Sequence, residues 1–197
     1  MSIKEEILPL RSETDSLWVD VVEADLNSFL LDHAACERKA SALAMSMVVK
    51  YPDRPALLEP MICLAKEELA HFHEVFLIIM KRKLQFSHDE KDPYLNQLLK
   101  SVRHGRENHF LDRLLISSIV EARGCERFLL LGRSITNDTW LADFYLRLGR
   151  EEAGHYKIFH RIASHYFDKE VVKDRFDQLL DTEASIISEL PIRPAVH

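Results

Sequence analysis

Turn formers are scarce in this sequence, with 5 glycines and 7 prolines among 197 residues. A fold built of many short strands needs a turn signal every 8 to 12 residues or so, and the shortage favours long helices instead. Cysteine is scarcer still. Cys36, Cys63 and Cys125 are odd in number and widely spaced, which excludes a disulfide framework or a CxxC zinc site and fits a reduced compartment. Long apolar runs are missing: nothing approaches about 18 uninterrupted apolar residues, and the opening "MSIKEEILPL" lacks a basic flank followed by an apolar core. The expectation is a soluble, cytoplasmic protein with no membrane partner. Net positive charge is absent as well. A balance of −6 argues against non-specific coating of nucleic acid, yet leaves room for a local basic patch.

What is present is ordinary in kind and regular in pattern. With 47% hydrophobic and 29% charged residues, the chain suits one domain over residues 1–197 with a single well-filled core. Apolar residues recur every three or four positions, and clear two-residue alternation is missing, so the fold class expected is all-α. Breakers divide it. A first long helix runs from about Ser16 or Asp25 to Lys50, stopping at "YPDRP"; a second starts at Pro55 and runs to about Lys83. The polar connector "LQFSHDEKDP" follows, then a shorter helix from Pro93 to about Arg103 and a break at "HGREN". A third long helix covers about Asn108 to Arg133, a fourth about Asp138 to His165, and a last one about Lys169 to Glu189 precedes the tail "PIRPAVH". Two helical hairpins flanking one crossover of roughly two dozen residues is the connectivity of a ferritin-like four-helix bundle with additional flanking helices.

The apolar stripes of the long helices carry charged residues where they are least expected. On the second helix the stripe Met61, Leu64, Phe72, Val75, Ile79 includes Glu68, with His71 about 60° round the helix. On the fourth, Leu141, Phe144, Leu148, Phe159 and Ile162 include Glu152 and His155. Glu37 falls on the stripe of the first helix and Glu121 on that of the third. The spacing repeats, since 68 − 37 = 31 and 152 − 121 = 31, with the second set 84 residues after the first. Each hairpin thus carries Glu-x30-Glu-x2-His. Four carboxylates in an apolar seam cost several kcal/mol each unless neutralised, and two divalent cations balance them. One Glu from each of two helices and one ExxH from each of two others is the ligand set of dimetal carboxylate bundles, and its oxygen-rich donors suit Fe or Mn better than structural zinc.

Neighbouring groups are sorted by the same geometry. Glu67, Glu74 and Glu151 lie off the seam and read as solvated or supporting groups. Glu126 rivals Glu121, because "CER" occurs at both Cys36–Arg38 and Cys125–Arg127, but it lies about 140° away and breaks the 31-residue match. His33, one turn before Glu37, suits either orientation of a ligand or a plain core position. Cys125 reads as a packing residue, because a thiolate would add charge to a balanced site.

The blocks "HAACERKASALAMSMV", "LAKEELAHFHEVFLIIMKRK", "IVEARGCERFLLLG" and "FYLRLGREEAGHYKIF" together resemble the bacterial tRNA-(2-methylthio-N6-isopentenyladenosine) hydroxylase family over almost the whole chain. The resemblance implies a non-haem di-iron monooxygenase that hydroxylates the isopentenyl group of the modified adenosine at tRNA position 37. It implies Glu37, Glu68, His71, Glu121, Glu152 and His155 as metal ligands, two Fe ions as cofactor with Mn as the alternative, and O2 as co-substrate. An external electron donor, an electron-transfer reductase, is also expected, since no flavin or nicotinamide motif occurs. A base held near buried metals has to be extruded from its loop. The tRNA phosphates then call for cations, and the candidates are Lys81, Arg82 and Lys83 with Arg103 and Arg106, two clusters that flank the crossover and serve equally well as helix-end charges. Phe29, Phe72, Phe110 and Phe128 suit a prenyl pocket or plain core. The alternative reading is a ferritin-like iron-oxidising or peroxide-handling protein; the sequence sets no oligomeric state.

Overall fold

A computed structural model of the chain describes residues 8–86 and 91–197. The opening residues 1–7 and residues 87–90 of the polar connector, on which two of the sequence expectations bear, lie outside the described residues. Seven helices occur among the described residues: α1 (Leu17–Ala24), α2 (Leu26–Lys50), α3 (Pro55–Lys81), α4 (Pro93–Leu99), α5 (Arg106–Ser134), α6 (Thr139–Tyr166) and α7 (Lys169–Glu189). No strand accompanies them among those residues, as the periodicity requires.

Local chemistry sets the boundaries. Both starts expected for the first helix are used: α1 ends at Asp25, whose backbone (φ −138°, ψ 61°) leaves the helix and whose side chain then accepts from Ser28 N at 3.1 Å to cap α2. Asp92, Asp138 and Asp168 cap α4, α6 and α7 in the same way, and Pro55 and Pro93 occupy first turns. At its other end α3 stops two residues before the sequence expectation. Lys83 takes a left-handed backbone (φ 58°), its N–H donates to Met80 O, and Leu84 N–H donates to Ile79 O, the two bonds of a Schellman motif. Likewise α4 ends at Leu99, four residues early, in 3₁₀-type turns onto Gln97, Leu98 and Leu99 carbonyls.

The chain divides into two compact units. The first unit comprises Ser16–Lys91 and Ile192–Val196. Its body is the antiparallel hairpin of α2 and α3, which buries Leu30, Ala34, Ala44 and Met47 against Leu57, Met61, Leu64, Val75 and Ile79. Trp18 of α1 is buried edge-on against Phe29, and its Nε1 donates to Ala195 O at 3.1 Å. The C-terminal residues are therefore no loose tail: Val196 N donates to Asp32 Oδ2 at 2.7 Å.

The second unit holds the described residues up to Asp15, then Asp92–Pro191 and His197. The antiparallel hairpin of α5 and α6 dominates it, with α4 and α7 packed alongside. Two glycines let the backbones of that hairpin approach. A Cβ on Gly132 would meet Leu146 N at 2.8 Å and Ala142 O at 2.9 Å, and one on Gly149 would meet Leu129 Cγ at 2.7 Å. Asp112, fully buried, ties the α4–α5 connector down by accepting from Arg103 N, Arg103 Nε and Nη2, and Arg175 Nε and Nη2. Burial pushes the Asp112 carboxyl up, but the Arg103 and Arg175 hydrogen bonds outweigh it and hold the group below the usual carboxylate range.

These contacts set the response of the scaffold to substitution. Gly132→Ala has to displace backbone atoms of α6 and should cost about 1–3 kcal/mol. Gly154→Ala, exposed on α6 with nothing near its added Cβ, should gain about 0.5–1 kcal/mol, and denaturant titration of both variants checks the opposite signs. Asp112→Asn should cost about 1–3 kcal/mol at neutral pH. Because the folded pKa is depressed, that contribution is present above the unfolded value of about 3.9 and fades as pH falls through the lowered folded value. Thermal unfolding from neutral to acid pH should accordingly show the difference between parent and variant shrinking once the pH falls below the unfolded carboxylate value.

Candidate metal centre

In the first unit, Glu37 from α2 and Glu68 and His71 from α3 converge. Each offers one donor atom, and these atoms lie within 4.8 Å of one another. His71 Nδ1 is 3.7 Å from both Glu37 Oε2 and Glu68 Oε2. The other Glu37 oxygen is 2.7 Å from His33 Nε2. His33 is wholly buried and sits one turn before Glu37, so the imidazole fixes the carboxylate's rotamer. Of the two roles the sequence left open for His33, orientation of Glu37 is the one its geometry serves.

In the second unit, Glu121 from α5 joins Glu152 and His155 from α6, again with one donor atom each within 4.8 Å of the others. Glu152 Oε2 is 2.9 Å from His155 Nδ1. Glu152 and His155 are 2% exposed, and Glu121 is half-buried. Each unit therefore supplies two carboxylates and one imidazole, a hard, oxygen-rich donor set with charge for one divalent cation, and the residues fit a metal of the Fe or Mn type.

Backbone support repeats with the ligands. Ser41 Oγ donates to Ala65 O at 2.7 Å in the first unit, and Cys125 Sγ donates to Gly149 O at 3.0 Å in the second. Both pairs obey the offset of the ligands, since 125 − 41 = 84 and 149 − 65 = 84. Each accepting carbonyl lies three residues before the Glu of an ExxH pair, so a side-chain donor on one helix pins the turn of the partner helix that carries that Glu and His. Cys125 is thus a buried hydrogen-bonding and packing residue.

Glu126 lies apart from the carboxylate cluster. Its carboxylate accepts from Thr14 N at 2.7 Å, from Thr14 Oγ1 at 2.6 Å and from Arg123 Nη1. Arg123 is fully buried and also donates to Glu183 Oε1 at 2.9 Å and to Ser12 O at 3.0 Å, while Tyr94 OH donates to the same Glu183 oxygen at 3.3 Å. Burial pushes the Glu183 carboxyl up against the pull of Arg123, raises the Tyr94 hydroxyl well above its ordinary value, and with the adjacent Arg123 charge brings Arg127 down to about 10. Sequence reasoning passed over this network. The signal was available: Glu183 interrupts the α7 stripe Leu179, Leu180, Ile186 just as Glu68 interrupts that of α3.

The remaining expected residues are dispersed. Phe29, Phe110 and Phe128 are buried core, and Phe72 is half-buried at the edge of the α3 stripe that carries Glu68. Lys81, Arg82, Lys83 and Arg106 are exposed. Arg103 commits its guanidinium to Asp112.

The model of the tRNA-(MS[2]IO[6]A)-hydroxylase (MiaE) family matches residues 1–197. The chain belongs to this family. Its relatives include the tRNA 2-(methylsulfanyl)-N(6)-isopentenyladenosine(37) hydroxylases of Pseudomonas putida, 33% identical over 79% of this chain and 75% of that protein, and of Salmonella typhimurium, 31% identical over 79% of this chain. The match spans 56% of the Salmonella protein's length. Among solved structures, a protein from Synechococcus described as having aldehyde deformylating oxygenase activity superposes with a TM-score of 0.89 at 31% identity, covering 95% of this chain and 93% of that one. The all-α, ferritin-like fold class and the tRNA hydroxylase class expected from the MiaE-type sequence blocks both hold. No helix among the described residues is long and apolar enough to cross a membrane.

The two kinds of buried carboxylate respond differently to substitution. In chelator-treated protein, Glu68→Gln or Glu152→Gln removes a buried charge and should leave the melting temperature unchanged or raised, whereas Glu126→Gln should lower it. Metal content after reconstitution, measured by mass spectrometry of the elements, should drop for Glu68→Gln and Glu152→Gln and stay at the parent level for Glu126→Gln.

Proposed function

We propose that this chain hydroxylates the isopentenyl group of 2-methylthio-N6-isopentenyladenosine at tRNA position 37, as an O2-dependent di-iron monooxygenase of the cytoplasm. The ligands of this reading are Glu37, Glu68, His71, Glu121, Glu152 and His155. The observation that carries it is the pair of matched, buried Glu2His sets, one in each unit, in a chain of a tRNA hydroxylase family. Bound iron supplies the one-electron steps with O2 that no amino-acid side chain performs. The reaction balances as R–H + O2 + 2e⁻ + 2H⁺ → R–OH + H2O, and an external reductase delivers the electrons.

The chain's own residues have three tasks in this reading. His33 holds Glu37 in one rotamer, and Ser41 and Cys125 hold the turns that present Glu68, His71, Glu152 and His155. Apolar neighbours such as Leu64, Leu148 and Phe159 keep the ligands dry, which strengthens every charge interaction there. Lys81, Arg82, Lys83 and Arg106 meet tRNA phosphates. Arg103 contributes chiefly by fixing the connector that precedes Arg106. The oxygenase activity ascribed to the Synechococcus protein supports oxygen transfer over the alternative of iron storage or peroxide handling.

The test is to supply iron-loaded protein with O2, a reductant and prenylated tRNA. The prenylated nucleoside should gain one oxygen in mass, and Glu68→Ala or Glu152→Ala should abolish the gain. A long-chain aldehyde in place of tRNA should give no deformylated product. Rapid Fe(II) oxidation by a cage-sized assembly with no gain on the nucleoside would instead establish the storage reading.

A further inference from the structure

Beside the Glu68 stripe, α3 carries a partly exposed aromatic and apolar face whose residues are not among the Glu and His clusters. At about 100° per residue, Leu69, Phe72, His73, Phe76 and Met80 fall within about 100° of arc. Leu69 and Met80 are 56% and 52% exposed. The Schellman turn at Lys83 reverses the chain and lays Phe86 onto this face. Phe86 stacks on Phe76 (centroids 5.8 Å, planes 18° apart) and lies 6.4 Å from Phe72, while His73 stacks on Phe76 at 6.4 Å and 21°. Four rings thus form one continuous platform, with Phe86 39% exposed at its end.

Charge is segregated around it. Lys66 borders the apolar arc and the exposed Lys83 stands at the turn where Phe86 folds back, whereas Lys81 lies about 140° from Phe76 on the side of Glu74 and Arg82 Nη1 donates to Asn27 Oδ1 at 3.4 Å. The carboxylates of the same helix stretch, Glu67 and Glu74, lie about 160–180° from Phe76, on the far side of α3. In a chain of net charge −6, Lys66 and Lys83 place positive charge at the two ends of a face on which His73 and Phe86 are exposed and Phe72 and Phe76 half-buried. Such a combination suits unstacked nucleobases with a phosphate backbone: rings stack on bases of any identity, and ammonium and guanidinium groups take the phosphates. Position also fits. Phe72 directly follows the ligand His71, so the platform begins one residue from the carboxylate–histidine set and extends away from it along α3.

We propose that this face of α3, with Phe76, Phe86 and His73 as stacking surfaces and Lys66 and Lys83 as phosphate contacts, holds the single-stranded loop nucleotides next to the base being modified. The inference rests on the tRNA hydroxylase reading and adds to it how the loop is kept open. Stacking is distinguished from simple burial by ring chemistry, because leucine retains apolar area without a π face.

The test uses iron-loaded full-length protein and a fluorescent anticodon stem–loop carrying N6-isopentenyladenosine, with affinity read by anisotropy. Phe76→Leu/Phe86→Leu should weaken binding at least tenfold, Phe76→Tyr should stay within about twofold, and Lys66→Ala/Lys83→Ala should lower the slope of log Kd against log salt by about 1 to 2. Leucine variants that bind like the parent, or a parent that does not bind the stem–loop, overturn the proposal. So does a dimeric parent that Leu69→Lys/Met80→Lys turns into a monomer with RNA affinity intact, which would make the face a contact between two copies. If the parent adds oxygen to tRNA while the leucine variants bind normally, the platform falls and the hydroxylase stands. If binding depends on Phe76 and Phe86 but the parent adds no oxygen, the platform stands and the hydroxylase falls.

Discussion

The dominant constraint is the cost of placing carboxylates on apolar helical seams. Glu37, Glu68 and Glu152 are at most 4% exposed, in helices whose other inward residues are Leu, Ile, Met, Phe and Ala. Each such ion costs several kcal/mol in isolation, a sum comparable to the whole stability of a domain. The helical scaffold has to provide that stability elsewhere: through the Trp18 and Ala195 contact, the close α5–α6 approach at Gly132 and Gly149, and the Asp112 clamp on Arg103 and Arg175. A cation held by these carboxylates would reverse the sign of their cost, so rigidity rests on parts of the chain other than the Glu and His clusters.

Duplication is what organises this arrangement. The 84-residue offset relates the two Glu and His clusters, and it also relates Ser41 with Ala65 to Cys125 with Gly149. A hydroxyl and a thiol do the same job at equivalent positions, each satisfying a backbone carbonyl three residues before a ligand. Outside these positions the units have diverged. The first unit adds His33 as a partner for Glu37; the second adds the Arg123, Glu126 and Glu183 network, in which each buried charge meets an opposite one.

That network shows how the same residue type on one helix serves two ends. Glu121 and Glu126 are five residues apart on α5. One turns toward Glu152 and His155, the other toward Thr14 and Arg123. Rotation about the helix axis sends their side chains to different neighbours, and the available counter-charge then decides the role of each.

The sequence by itself determined the helical class, because periodicity of three to four and the lack of turn formers exclude the alternatives, and it picked out the Glu and His residues that cluster in each unit, because 31-residue spacings on apolar stripes leave few other positions. Helix ends were legible to within a few residues; the misses at Lys83 and Leu99 came from backbone turns that have no propensity signature. The tertiary structure decided what lies far along the chain. It joined Thr14 to Glu126, Tyr94 and Arg123 to Glu183, and Ala195 to Trp18; across the short α4–α5 connector it also committed Arg103 to Asp112, nine residues on, where the sequence had offered it for phosphate. Only folding brings such partners together, since an ion pair between residues tens of positions apart leaves no periodic trace. The ring platform of Phe72, Phe76 and Phe86 belongs to the same class, for it exists only because the chain reverses at Lys83.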